Sequence, residues 1–122
     1  MIDRVAQSLE VYLDLVATRQ KLVASNVANL DTPGYRTRDI DFQNELASAL
    51  SRGGTGGVAG PRAASPAATE VEGLALNNDG NNVSLDREAR VMAENAMRFE
   101  LGSALLASRY RTIRLAIKEG NS

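Results

Sequence analysis

The chain has no cysteine, no histidine and no tryptophan among its 122 residues, and only 4% of it is aromatic. Without thiols there are no disulfides, thiolate nucleophiles or thiolate metal ligands. Without imidazole, the usual general base near neutral pH and the commonest ligand for zinc, copper or iron are missing, so most hydrolase and metalloenzyme mechanisms lack a component. An excess of charge is absent too. Lys plus Arg number 14 against 15 Asp plus Glu, and a formal charge of −1 provides no field to attract nucleic acid or an anionic membrane. There is no long apolar run. Met1-Ile2-Asp3-Arg4 leads into a charged amphipathic stretch rather than a signal peptide or a membrane span, so a chain of this kind that leaves the cytoplasm is expected to use another route. No cofactor, metal, nucleic acid or small-molecule substrate is expected, and the default reading is assembly rather than catalysis.

What the chain does have is helical periodicity. Leu85, Ala89, Met92, Ala96, Phe99, Ser103, Leu106, Tyr110, Ile113 and Ile117 follow alternating steps of four and three, the spacing of a helix that lies along another helix. A second stripe, Ile2, Val5, Leu9, Tyr12, Val16, Val23, Val27 and Leu30, predicts a long first helix over residues 1–30, interrupted by Arg19 where a core residue is expected. Pro33 pushes Thr32 out of helical space and Pro33-Gly34 suits the centre of a type II turn, so the helix should end near Asn29 or Leu30.

Residues 31–50 read as a structured loop with a short helix. Residues 51–69 are rich in glycine, proline, serine and alanine and read as a flexible linker. Residues 70–83 read as a short strand, Val71 to Leu76, followed by the polar turn Asn77 to Asn82 with Asp-Gly at its tip. Ser84 is the expected N-cap of a final helix over 84–119, with Asp86 and Glu88 in its first turn. Both long helices carry acid early and base late, which complements each helix dipole and favours antiparallel pairing. The expected fold is therefore all-α: two long terminal helices in an antiparallel coiled-coil hairpin, with an irregular middle containing at most a short β-hairpin.

Within that hairpin the expected intrachain seam is Leu9, Tyr12, Val16 and Val23 against Met92, Phe99, Leu106, Tyr110 and Ile113. Each helix also has apolar residues off this line. Leu101 and Leu105 project to the opposite side of the second helix, and Val11, Leu15 and Leu22 fall roughly 120° from the main stripe of the first. These second stripes are expected to meet neighbouring subunits, because one hairpin has more apolar helical surface than it can cover. A soluble hairpin adaptor or export chaperone is the other reading the pattern allows.

Other motifs carry less. Gly54-Thr55-Gly56-Gly57-Val58-Ala59 fits a loose phosphate-binding pattern but sits inside the linker, without the strand and helix that chemistry needs. The Asn/Asp-rich turn lacks the first ligand of a calcium loop. The carboxylate pairs Asp39 with Asp41 and Glu70 with Glu72 read as solvated loop charges, and the arginines of the last helix as a solvated face.

The segment from Ser25 to Phe42 resists such readings, because two asparagines, a proline turn, Tyr35 and alternating Arg and Asp crowd around a helix end. Asn26-Val27-Ala28-Asn29 followed by Thr32-Pro33-Gly34-Tyr35 resembles the signature shared by bacterial flagellar rod, hook and hook-associated proteins. The short length, Arg38-Asp39-Ile40-Asp41-Phe42, and the stretch from Gly80 to Glu88 resemble the proximal rod subunits within that family. The resemblance implies a structural subunit exported unfolded through the flagellar type III apparatus and assembled in the periplasm into a helical tube. The implied partners are copies of itself, other rod proteins, membrane-ring and rod-adaptor proteins at the base, and the export gate. It further implies that Asn26, Asn29, Thr32, Pro33, Gly34 and Tyr35 fix subunit register. Phe42-Gln43-Asn44-Glu45-Leu46 is similar to the Phe-x-x-x-hydrophobic element by which such subunits dock on the export gate, although Phe42 and Leu46 one helical turn apart can equally pack together.

Overall fold

The computed structural model describes residues 3–52 and 66–120. In chain order it contains α1 (Arg4–Ala28), β1 (Arg38–Ile40), α2 (Phe42–Ser51), β2 (Ala68–Glu70) and α3 (Leu85–Gly120). Local chemistry sets each helix boundary. Asp3 caps α1 by accepting from the Val5 N–H, Asp41 caps α2 through the Asn44 N–H at 3.3 Å, and Ser84 Oγ accepts from the Arg87 N–H at 3.2 Å at the start of α3. Asn29 closes α1, its side-chain amide donating to the Ser25 carbonyl at 2.8 Å. The following turn has the expected form, with the Tyr35 N–H returning to the Thr32 carbonyl at 3.2 Å and Gly34 at φ 76°, a conformation that favours glycine.

α1 and α3 pack antiparallel, as successive pairings along the hairpin show: Asp3 with Arg109, Tyr12 beside Gly102, Gln20 with Asn95, and Asn26 with Glu88. The acidic start of one helix thus meets the basic part of the other. α3 has 36 residues and α1 has 25, about 54 Å against 38 Å at 1.5 Å per residue. Since Asp3 pairs with Arg109, the last three turns of α3 extend past the start of α1. Where the helices are closest the chain uses its least bulky residue: a Cβ on Gly102 would stand 2.8 Å from Leu13 Cδ2 and 3.1 Å from Tyr12 Cδ2.

The middle of the chain departs from expectation in two ways. The strand is Ala68–Glu70 rather than Val71 to Leu76, and it pairs antiparallel with β1 in the register Arg38 with Glu70, Asp39 with Thr69 and Ile40 with Ala68. Two short segments far apart in sequence thus join, at the edge of what had read as linker; residues 53–65 of that linker, including the glycine-rich Gly54 to Ala59 motif, lie outside the described residues. The second departure concerns the side stripe of α1. Leu15 and Val16 form the core with Ile40 and Phe42, and Val11, Tyr12, Leu22, Leu46 and Ala68 pack around them. Leu15, expected to meet a neighbouring subunit, is therefore buried within its own chain, and Val11 and Leu22 are half-buried against the same core. The reason is that Ile40 and Phe42 supply the apolar cover from within the chain.

The α3 seam is also displaced. The residues of α3 buried against the rest of the chain are Glu88, Val91, Asn95 and Gly102, with Leu106 and Ile113 half-buried further on. Met92, Phe99 and Tyr110 are exposed at 44%, 56% and 42%. The buried line is rotated by roughly 50° about the helix axis from the apolar stripe. Periodicity had assigned the large residues inward. Glu88 and Asn95 displace them because each finds a polar partner on α1, and Gly102 because only a residue without a side chain fits the crossing.

Candidate functional site

The segment singled out by its sequence folds into a polar clasp at the loop end of the hairpin. Asn26 is buried near the end of α1. Its amide nitrogen donates to the Arg38 carbonyl at 2.9 Å and to Glu88 Oε1 at 2.8 Å. Its amide oxygen accepts from the Tyr35 hydroxyl at 2.9 Å and from the Arg38 N–H at 3.1 Å. Two donors and two lone pairs are all used, so this one side chain ties α1 to β1, to the proline turn and to α3. Of the carboxamide and carboxylate side chains, only a carboxamide offers both donors and acceptors for these four positions.

Two further asparagines stitch the turns together. The Asn81 amide nitrogen donates to the Asn29 and Thr32 carbonyls at 2.9 and 2.8 Å, while its oxygen accepts from the Val83 N–H at 2.8 Å. Asn82 Oδ1 accepts from the Thr37 N–H at 2.6 Å, and its N–H donates to the Tyr35 carbonyl at 3.2 Å. The Gly34 N–H donates to the Asp79 carbonyl at 2.9 Å, and the backbones come close enough that a Cβ on Gly80 would lie 3.5 Å from Gly34 Cα. Of the expected register residues, Asn26, Asn29, Thr32, Gly34 and Tyr35 all take part in this clasp. Thr32, Pro33 and Gly34 themselves remain exposed.

Beside the clasp runs a chain of charges centred on Asp39, which was expected in solvent. Arg19 grips Asp39 with two prongs, Nε to Oδ1 at 3.0 Å and Nη2 to Oδ2 at 2.9 Å. Arg87 Nη2 reaches Asp39 Oδ2 at 2.5 Å and its Nη1 reaches Glu88 Oε2 at 2.9 Å, while Glu94 lies 3.6 Å from Arg19. Asp39 is only 9% exposed, so the expectation of a solvated loop charge is corrected: β1 carries it between α1 and α3. Burial pushes its carboxyl upward, but the two guanidiniums outweigh burial and hold it below the ordinary carboxylate range. Asp39 in turn raises Arg19 above its ordinary value. Arg87 and Glu88 were missed as site residues. The signal available was Arg19, a charge at a core position that requires an opposite charge elsewhere.

Phe42, the first residue of α2, is 5% exposed, with the Tyr12 ring edge-on at 5.7 Å and the Arg98 guanidinium 4.2 Å over its face. Leu46 packs on the same cluster one turn later. In the folded chain, therefore, Phe42 and Leu46 pack against the hairpin and Phe42 is inaccessible.

The remaining expected positions divide between the interior and the surface. Leu9 and Tyr12 are half-buried and Val16 and Val23 are buried on α1, whereas Leu101 and Leu105 on α3 stand out at 58% and 48% exposure. An open groove of about 490 Å3 runs between the helices, floored by Val16, Ala17 and Ala24 of α1 and walled by Met92, Ala96 and Phe99 of α3. Asn95 lines it and leaves its buried Oδ1 without a hydrogen-bond partner. No helix among the described residues is long and apolar enough to cross a membrane. Such a surface is suited to holding helices, and the polar clasp to holding them at one angle.

Comparison with known proteins agrees with this division. A family model described as flagella basal body rod protein matches residues 14–36, the stretch that carries Arg19, Asn26, Asn29 and the proline turn. The flagellar basal body rod protein FlgB of Salmonella typhimurium is 36% identical over 99% of this chain and all of that protein. FlgB of Escherichia coli is 32% identical with the same coverage, and FlgB of Cereibacter sphaeroides is 38% identical over 87% of this chain and 88% of that protein. Relatives this similar across essentially the whole chain establish that it belongs to the FlgB family of flagellar basal body rod proteins.

Proposed function

We propose that this chain is a structural subunit of the proximal rod, which assembles with copies of itself and with other rod proteins into a helical tube in the periplasm. The observation that carries the reading is the apolar surface of α3. Met92, Met97, Phe99, Leu101, Leu105, Leu115 and Ile117 are each more than two-fifths exposed in the folded chain. Side chains of this size scattered singly are ordinary, but rows on two faces of one long helix are the mark of a protein–protein interface. In an assembled tube these rows are buried between neighbours, and the clasp fixes the angle at which each hairpin presents them.

Export fits the same account. If Phe42 and Leu46 are read by the type III export gate, reading requires that α2 be detached from the hairpin, so the folded and exportable states exclude one another. Phe42 then serves twice, as a recognition residue in the unfolded chain and as a core residue after assembly. Partners at the base, the membrane-ring and rod-adaptor proteins, would meet the subunits nearest the membrane.

The test is complementation in a strain lacking its own copy of the gene. Leu101→Glu with Leu105→Glu should leave export into the periplasm intact and abolish incorporation into purified basal bodies. Rods that form at the normal level with this variant would overturn the reading.

A further inference from the structure

We propose that Asp79-Gly80 is a site of spontaneous covalent modification, at which aspartate isomerises to isoaspartate in the open chain, and that closure of the clasp shuts the reaction off. Isomerisation is a property of one peptide bond and goes beyond the rod-subunit reading.

The reaction needs an aspartate followed by a residue whose backbone nitrogen is open to attack, and glycine, with no Cβ, hinders that attack least. Asp79-Gly80 is the single Asp-Gly step in the sequence, which has no Asn-Gly step. The Gly80 nitrogen adds to the side-chain carbon Cγ of Asp79 and the Cγ–O bond breaks. The departing oxygen takes the carboxyl proton and the amide proton away as water, and a five-membered succinimide remains. Water then opens the ring at either carbonyl. Opening at the side-chain carbonyl restores aspartate. Opening at the main-chain carbonyl leaves the chain running through Cβ and Cγ, with the former peptide carbonyl carbon now a free carboxylate. Water is lost once and regained once, nothing is oxidised or reduced, and no other reactant is required.

In the folded chain both reacting groups are engaged. The Gly80 N–H donates to the Asn77 carbonyl at 2.9 Å, and Asp79 Oδ1 accepts from the Asn81 N–H at 3.0 Å. The Asp79 carbonyl accepts from the Gly34 N–H at 2.9 Å, and Gly80 is held at φ 83° against the Gly34 backbone. Ring closure requires the Gly80 nitrogen to lose its proton and turn onto Cγ, and these bonds hold it in place. Asp79 is exposed to water, so its protection comes from fixed geometry and not from burial.

The product does not fit the clasp. Isoaspartate lengthens the main chain by one atom inside a turn whose ends are tied, the Asn77 N–H donating to the Asn81 carbonyl at 2.8 Å. It also removes from the main chain the carbonyl that receives the Gly34 N–H. Asn81 follows directly, fully buried and donating to the Asn29 and Thr32 carbonyls at 2.9 and 2.8 Å. A displacement of one carbon–carbon bond, about 1.5 Å, carries those contacts out of hydrogen-bonding range. The sequence thus contains a clock that runs only while the clasp is open, and chains that stay open too long lose the ability to close it.

Basal bodies containing the chain and the purified chain in urea are warmed side by side at neutral pH, then denatured and digested with trypsin. Electron-transfer mass spectrometry, which tells isoaspartate from aspartate, reads residue 79 in the peptide that ends at Arg87. Isoaspartate should accumulate at least about tenfold more slowly in basal bodies, because the reaction follows the fraction of time the clasp is open. Asp79→Asn, which closes the same ring with loss of ammonia, should react faster than wild type in urea and still be slow in basal bodies. Asp79→Glu, which would have to close a six-membered ring, should stay unmodified in both. Equal rates in basal bodies and urea, or equal accumulation in the Asp79→Glu chain, would overturn the assignment. Once urea is removed, chains carrying isoaspartate at position 79 should exchange the amides of residues 81–83 faster than unmodified chains from the same sample, and identical exchange would overturn the incompatibility of the product with the clasp. Rod membership is tested separately, by the Leu101→Glu, Leu105→Glu variant, and the comparison of wild type with Asp79→Glu in urea stands whatever the chain assembles with.

Discussion

The loop end of the hairpin and the long outer faces of α3 solve opposite problems. At the loop end nearly every buried polar group has a partner: Asn26, Asn81, Thr37 and Glu88 are almost wholly enclosed and hydrogen-bonded to one another's elements. Along α3 large apolar side chains are left in water. The first region holds one geometry at the expense of desolvating charge, and the second, on the proposed function, keeps apolar surface in reserve for contact with others. A subunit that must fold to a fixed shape and then bind on several sides needs both.

This contrast can be broken from the clasp side first. Asp39→Ala leaves Arg19 and Arg87 without their shared carboxylate, and loss of one partner from a buried pair costs about 3–5 kcal/mol. Denaturant unfolding of the purified chain should register that loss, while export of the unfolded polypeptide is unaffected. Phe42→Ala removes the aromatic cover from Tyr12 and Arg98 and should cost about 3–5 kcal/mol as well, with reduced secretion in addition if the gate reads this residue.

The crossing of α1 and α3 is the next most sensitive point. Gly102→Leu drives side-chain atoms into Leu13 and Tyr12, and overpacking of this kind costs about 1–3 kcal/mol. Thermal melting measures it directly. A smaller effect, on the order of 1 kcal/mol, is expected from Tyr35→Phe, which removes the hydroxyl that donates to Asn26.

The pH dependence sharpens the same comparison. Asp39 has its folded-state pKa depressed, so the stability it supplies is fully present above the ordinary aspartate value of about 3.9 and disappears as pH falls through the lowered folded value. Urea midpoints should therefore drop between neutral pH and pH of about 3, and Asp39→Asn should flatten that drop. Smallest of all should be the effect of Leu101→Glu with Leu105→Glu on the isolated chain, within about 0.5 kcal/mol of wild type as for other surface changes, although the same pair is expected to prevent assembly.

How much of this was legible in the sequence follows the type of force involved. The start of α3 and the end of α1 were readable because Ser84 and the Pro33-Gly34 turn act on neighbours within four residues, whereas the caps Asp3 and Asp41, equally local in their action, were read as part of the first helix and as a solvated loop charge. The antiparallel hairpin was readable from charge order and periodicity. The face that α3 buries was not, since periodicity ranks Met92 and Phe99 above Glu88 and Asn95, and only the position of Asn26 and Gln20 on the other helix reverses that order. The cover over Val11, Leu15 and Leu22 was hidden for a similar reason, because it depends on Ile40 and Phe42 returning across a long separation. Asp39 looked like an ordinary loop acid until Arg19 and Arg87 were seen to converge on it. The family motif marked the right segment, but the sequence alone did not say that its asparagines act as cross-braces.

Amide hydrogen exchange on the dilute monomer and on assembled rods tests the central contrast most directly. In the monomer, the amides of residues 35–40 and 81–88 should exchange far more slowly than those of α3 beyond Arg109, and assembly should protect that part of α3 while changing the clasp little. An α3 end as well protected as the clasp in dilute monomer, with no gain on assembly, would contradict the account.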